Sequence, residues 1–281
     1  MLDDKKNRLL KLRANEIRKA IIEALIEAGS GHTAGPLGMA DIFAYLYFHG
    51  LAHDPKRPDW NGRDRLVLSN GHICPVLYAA MCLAGYASLD EFKKTLRKFG
   101  TKFQGHPHRE FFPALENSSG PLGSGLSQAV GMALADRMDF GKQHSRIIYC
   151  LMSDGDLQEG NSWEAIMFAG KEKLGNLIAI VDRNNIQISG YTEDVMPLEP
   201  LAAKWKSFNW HVMEIDGHNF HEIDEAVGQA KAVFDMPSVI IAHTIPGKGV
   251  SEFEKKWEWH GKAPSVQEGE QALESLRGLI E

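Results

Sequence analysis

The chain has only three cysteines, Cys74, Cys82 and Cys150, and none belongs to a C-x-x-C pair. A disulfide frame and a cysteine-based zinc site are therefore not expected, and the thiols read as reduced and buried, as in a cytoplasmic protein. No run of eighteen apolar residues occurs, so no membrane-spanning helix is expected. The opening stretch, MLDDKKNRLLKLRANEIRKAI, is too charged to hold the apolar segment of a signal peptide. The net charge of −6, with both signs interspersed, offers no nucleic-acid surface. There is no H-E-x-x-H, no Ser-His-Asp order that stands out, and no G-x-G-x-x-G running from a strand into a helix. A zincin, a triad hydrolase and a nicotinamide-binding protein are all disfavoured by these gaps.

What is present is an alternation of short apolar runs with helical periodicity. The 281 residues fit one large α/β domain, and the apolar content is enough to fill its core. Residues 7–28 repeat apolar positions with helical spacing and stop at Gly29. Met39–Gly50, Ile73–Leu83, Leu89–Phe99, Leu126–Met138, Trp163–Lys173, Phe220–Val233 and Gln267–Ile280 are further predicted helices. Arg65–Leu68, Arg146–Met152, Leu177–Val181, Trp210–Ile215 and Pro237–His243 are predicted strands, and Gly190–Lys206 reads as loop with a weak helix. The alternation predicts a doubly wound, mostly parallel sheet with helices on both faces, with residues 1–281 as a single domain.

The stretch Arg146–Ser189 organises the rest, because it reads as one βαβ unit. Its two polar turns, Ser153-Asp154-Gly155-Asp156 and Asp182-Arg183-Asn184-Asn185, fall at the carboxyl ends of parallel strands, where α/β ligands bind. Asp154 and Asn184 stand thirty positions apart and can meet there. A carboxylate, an amide oxygen and nearby carbonyls are hard donors suited to Mg²⁺ or Ca²⁺. On their own, Asp-Gly and Asn-Asn are also common turn pairs. Four loops elsewhere pair glycine with histidine: Gly31-His32, Gly71-His72, Gly105-His106 and His260-Gly261. Each histidine alone can be a solvated or capping residue; four of them suggest a cluster that trades protons with hydroxyls near neutral pH. Gly120, Gly123 and Gly125 lie in six residues just before a helix, where backbone can approach a phosphate or ring. With no nucleophile beside a base, the reactive carbon must come from a cofactor.

Taken in order, SGH, SNGH, GHP, GPLGSG, DGDLQEG, the Asn pair and a late HGKAP resemble the transketolase family over roughly residues 15–265. Two positions depart from its pattern: Ser153 replaces the first glycine of the diphosphate motif, and Thr33-Ala34 stands where members usually carry proline. The resemblance implies thiamine diphosphate and Mg²⁺ as cofactors, with Asp154, Asn184 and the Ile186 carbonyl on the metal. It places Gly155 against the diphosphate, and His72, the Gly120-Pro121-Leu122 backbone and His260 on the cofactor. Ile188 would pack on the cofactor ring. His32, His106 and His260 would handle substrate hydroxyls and proton transfers. Glu159 resembles an acid at the subunit boundary, although a helix N-terminus also favours an acid there; Lys248 reads as solvated. The resemblance covers the diphosphate-binding domain alone. It implies the N-terminal subunit of a split transketolase, moving a two-carbon ketol unit from a ketose phosphate to an aldose. The catalytic glutamate would come from a C-terminal subunit with the pyrimidine-binding domain, in a dimer of heterodimers. A deoxyxylulose-phosphate synthase-like or specialised ketose transferase half and an orphan cofactor-binding or regulatory module remain alternatives.

Overall fold

The computed structural model describes residues 2–141 and 146–278. Its centre is a sheet of five strands: β1 (Arg65–Leu68), β2 (Ile148–Ser153), β3 (Leu177–Arg183), β4 (His211–Asp216) and β5 (Ser238–His243), in the order β1-β2-β3-β5-β4. Every neighbouring pair is parallel. Parallel strands covered on both faces read as unbroken apolar runs, which is how β2, β3 and β5 read. Their side chains divide by alternation between two cores. Ile148, Cys150 and Met152 of β2, with Leu177, Ala179 and Val181 of β3, join α3 (Ser124–Phe140) and α4 (Gly160–Glu172) on one face. Tyr149, Leu151, Ile178 and Ile180 point the other way, into the core shared with α1 (Asp4–Ala28), α2 (Cys74–Leu83) and α5 (Phe220–Ala232). A last helix, α6 (Val266–Arg277), packs on α1. The predicted doubly wound parallel sheet is therefore present, with helices on both faces.

The caps explain several boundaries. Asp3 accepts from the Lys6 backbone N–H at 2.7 Å to start α1, and Gly29 ends it in the left-handed region at φ 62°. Ser265 and Glu268 form a reciprocal capping box for α6. Four predicted elements differ in detail. Met39–Gly50 is a short helix, Ala40–Tyr45, followed by a wider π turn, Leu46–Gly50. The helix expected over Leu89–Phe99 stops at Thr95, because Leu96 leaves the helical region at ψ 128° and Arg97 then turns the backbone left-handed at φ 62°. Gly190–Lys206 holds two short helices, Thr192–Val195 and Leu201–Ser207. Ser153–Asp156 starts a helical turn, Asp154–Leu157, because Ser153 and Asp156 cap each other. The end of the terminal helix expected at Ile280 lies outside the described residues. Among the described residues, no helix is long and apolar enough to cross a membrane.

Strand register brings the two polar turns together. Ser153 of β2 lies opposite Asp182 of β3, so the turns leave the sheet side by side at its carboxyl edge.

Candidate active site

Asp154 follows β2 and is fully buried. Its Oδ2 accepts three hydrogen bonds of 2.9 Å, from Arg183 Nη1, the Asn185 backbone N–H and Thr192 Oγ1. Its Oδ1 is buried with no hydrogen-bond partner among the described residues. Burial pushes the carboxyl upward, and the Arg183 charge opposes that. Asn184 donates Nδ2–H to Asp182 Oδ2 at 2.8 Å, so its amide oxygen is left as acceptor, taking the Ile186 N–H at 3.0 Å. Asp182 is itself pushed up to about 7, chiefly by burial, with the Asp154 charge adding to it against hydrogen bonds from Thr244 and Asn184. A buried carboxylate oxygen without a donor is costly unless a cation meets it. Asp154 Oδ1, the Asn184 amide oxygen and the adjacent backbone carbonyls make a hard oxygen set that fits Mg²⁺ or Ca²⁺. Among the described residues, no three His, Cys, Asp or Glu side chains gather as a metal centre. A cation here would thus rest on amide and backbone oxygens beside one carboxylate.

A second buried carboxylate, Asp156, ties three loops together. Its Oδ1 accepts from Ser69 Oγ at 2.5 Å and from the Gly123 N–H at 2.7 Å. Its Oδ2 accepts from the Ser153 N–H at 2.9 Å and Ser153 Oγ at 3.0 Å. Burial raises this carboxyl, and the four donors pull the other way. The two backbone N–H groups can only donate and the two hydroxyls are free to, so each carboxylate oxygen has a fixed acceptor role that suits the ionised form. Ser69 Oγ in turn accepts from the Gly125 N–H at 3.2 Å. The loops pack backbone to backbone here: a Cβ on Gly125 would lie 2.5 Å from Ser69 Cα. Gly123 sits at φ 76°, where a side chain is disfavoured.

Beside these turns lies a cavity of about 270 Å³. It is lined by His32, His72, His106, His260, Gly120, Leu122, Ser153, Gly155, Gln158, Glu159, Asn184, Ile186, Gln187 and Ile188. The imidazole of His32 lies 5.0 Å from His72, 5.4 Å from His260 and 6.4 Å from His106, centroid to centroid. His72 and His260 are 5.0 Å apart. Four chain segments far apart in sequence therefore converge. Thr33 Oγ1 donates to the Lys262 carbonyl at 2.5 Å, fastening the His32 loop to the His260 loop. Tyr78 Oη donates to the Gln104 carbonyl at 3.0 Å, anchoring the His106 loop on α2. Burial lowers all four imidazoles. His32 falls to about 4, with the His260, His106 and Arg97 charges adding to the effect of burial. All four are neutral at physiological pH, able to donate from one nitrogen and accept at the other.

Of the residues singled out from sequence, Asp154 lies buried outside the lining, and Pro121 also stands outside it, exposed. Pro121 instead offers its carbonyl to Ser124 Oγ at 2.7 Å. Glu159 is exposed at the N-cap of α4 and makes no capping bond with its side chain. Ile188 is 65% exposed. Sequence reasoning passed over Gln158 and Gln187, which line the cavity, and Asp156, Asp182 and Arg183, which support it. The doubled acid of the D-G-D turn was the available signal for Asp156.

A family profile described as "Transketolase, thiamine diphosphate binding domain" matches residues 10–277. The 6-deoxy-6-sulfo-D-fructose transketolase subunit SqwG of Clostridium sp. (strain MSTE9) is 46% identical over 89% of this chain and 90% of its own length. An apulose-4-phosphate transketolase subunit of Phocaeicola vulgatus is 38% identical over 97% of this chain and 95% of its own. Human transketolase is 37% identical over 99% of this chain, which spans 44% of the human protein. The crystal structure of Campylobacter jejuni transketolase superimposes with a TM-score of 0.90 at 37% identity, over 99% of this chain and 43% of that one. With the parallel sheet, the converging loops and these matches together, the chain belongs to the transketolase family of transferase enzymes and corresponds to its thiamine diphosphate-binding domain.

Proposed function

We propose that this chain is the cofactor-binding subunit of a two-chain transketolase. It acts as one diphosphate-binding domain with a separate subunit that carries the pyrimidine-binding domain and the catalytic glutamate. The observation that carries this reading is the cavity itself, which four neutral imidazoles line together with residues of the turns that hold Asp154 and Asn184. The relatives named as subunits, matched over nine-tenths of their length, support a split enzyme. Thiamine diphosphate, when bound, supplies the carbon nucleophile that carries a two-carbon unit, and its metal neutralises the diphosphate. Asp154, Asn184 and the Ile186 carbonyl would hold Mg²⁺ or Ca²⁺. His72, Gly155, the Gly120–Leu122 backbone, Glu159 and Ile188 would hold the cofactor. His32, His106 and His260 would bind substrate hydroxyls and move protons between them. Neutral imidazoles suit this task because each can both give and take a proton at modest cost.

The test is ketol transfer by the purified chain with thiamine diphosphate and Mg²⁺, alone and with a candidate pyrimidine-domain subunit. Donors would include phosphorylated and sulfonated ketoses, since the two subunit relatives are named for one of each. Pyruvate as donor separates a deoxyxylulose-phosphate synthase-like reaction. No turnover is expected from the chain alone. Turnover unaided refutes the two-chain reading, and cofactor binding without turnover in any mixture refutes the enzyme. A dimer of heterodimers is expected by light scattering of the active mixture.

A further inference from the structure

Arg183, the last residue of β3, is 2% exposed, yet it carries a full charge into the site. Its guanidinium is divided. Nη1 donates to Asp154 Oδ2 at 2.9 Å, and Nη2 donates to Glu193 Oε1 at 2.7 Å and to Glu199 Oε1 at 2.9 Å. The two glutamates sit on the segment that leaves the site, and their side chains are 40% and 55% exposed. Both are fixed by the backbone: Glu193 Oε1 accepts from the Leu198 N–H at 3.1 Å, and Glu199 Oε2 from the Leu201 N–H at 2.7 Å.

This arrangement bears on the orphaned oxygen of Asp154. A cation at Oδ1 and a guanidinium at Oδ2 compete for one negative charge. Left alone, Arg183 would repel a divalent cation from the same carboxylate. Two further carboxylates on its other nitrogen draw that charge away. We propose that Arg183 is a positioning residue that occupies Oδ2 and leaves Oδ1 for the cation, while Glu193 and Glu199 set the cation affinity without touching the cation. The inference rests on the cation reading of Asp154 given above. A purely structural role, in which Arg183 only latches the 193–199 segment, would leave that affinity unmoved.

The test is Mn²⁺ titration of the full chain with thiamine diphosphate, read by electron paramagnetic resonance. The wild type is compared with Glu193→Gln, Glu199→Gln, the double variant and Asp194→Asn. Asp194 is an exposed acid of the same short helix and serves as the control for a general field effect. Each glutamine variant is expected to weaken Mn²⁺ binding roughly two- to fivefold, the range for partly exposed charge pairs, and the double variant roughly tenfold. Asp194→Asn is expected to stay within roughly 1.5-fold, since the bulk field is screened. An unchanged affinity in the double variant overturns the inference and leaves the cation site standing. An Asp194→Asn loss equal to that of the glutamine variants also overturns it. Absence of Mn²⁺ binding by the wild type overturns the cation site, and the inference with it. Thermal melts of the four variants, expected to match the wild type closely, confirm that each is folded.

Discussion

Replacing Asp156 by asparagine changes one atom pair and leaves the side-chain shape almost intact, so it isolates the charge and the acceptor. Both carboxylate oxygens take two donors each, and each pair includes one backbone N–H: Gly123 at Oδ1 and Ser153 at Oδ2. A serine hydroxyl can rotate and become an acceptor, but a backbone N–H cannot. Whichever way the amide is turned, its NH₂ faces one of these N–H groups in a fully buried site. One orphaned backbone donor costs about 1–3 kcal/mol, and weakening of the charge-assisted bonds adds roughly another 1 kcal/mol. Asp156→Asn is therefore expected to destabilise by about 2–4 kcal/mol, lowering the melting temperature by roughly 3–7 °C. Asp156→Ala orphans both backbone N–H donors and is expected to cost about 2–6 kcal/mol. Both are read by equilibrium unfolding in urea with far-ultraviolet circular dichroism. Hydrogen exchange should show the extra opening first in the loops of Ser69 and Gly123, which Asp156 fastens to the β2 turn. An asparagine variant within about 1 kcal/mol of the wild type would falsify the view that this carboxylate holds the three loops.

Three further outcomes are expected from the same geometry. His32 is held at about 4 in the folded chain against 6.5 for a free imidazole, so the unfolded chain binds more protons between these values. Stability is thus fully present above 6.5 and falls as pH drops toward 4; His32→Gln should flatten that slope in urea titrations across this window, and an unchanged slope refutes the assignment. Gly125→Ala puts a Cβ 2.5 Å from Ser69 and should cost about 1–3 kcal/mol by overpacking, measured by thermal melts. Asp154→Asn should weaken metal-dependent binding of thiamine diphosphate by more than roughly 100-fold in titration calorimetry; binding within about threefold of the wild type would exclude Asp154 as a cation ligand.

The sheet and the meeting of the two turns were legible because they rest on local signals. Apolar runs of five to seven residues give buried parallel strands, and ends of neighbouring parallel strands share one edge. The cluster of imidazoles was legible only as a set of loop motifs, since no periodicity says that His32 and His260 approach within 5.4 Å. The supports were hidden for a different reason. Asp156, Asp182 and Arg183 look like ordinary turn residues, and their importance comes from burial and from partners such as Ser69, Thr244 and Glu199. The helix over Leu89–Phe99 was read too long because helical spacing continues through Leu96, while the turn at Arg97 is set by its bond to the Phe103 carbonyl at 2.8 Å.

The charge layout of the site divides its labour. Around the two polar turns, Asp154 and Arg183 form a buried ion pair that the half-exposed Glu193 and Glu199 extend to the surface. In the same cavity, burial disfavours charge on the four imidazoles, and His32 Nδ1 has no hydrogen-bond partner among the described residues. Anionic groups of a ligand therefore have no fixed counter-charge among these imidazoles; they find one where a cation can sit on Asp154. Hydroxyl groups have the opposite preference, since a neutral imidazole offers both a donor and an acceptor at close range. The cavity's rim carries Ile188, and Tyr191, Val195 and Met196 come after it in the chain, all at least 40% exposed. Exposed apolar side chains close together in the chain are best accommodated when another surface covers them. Such a cover would also exclude water from the imidazoles and strengthen every interaction within the site.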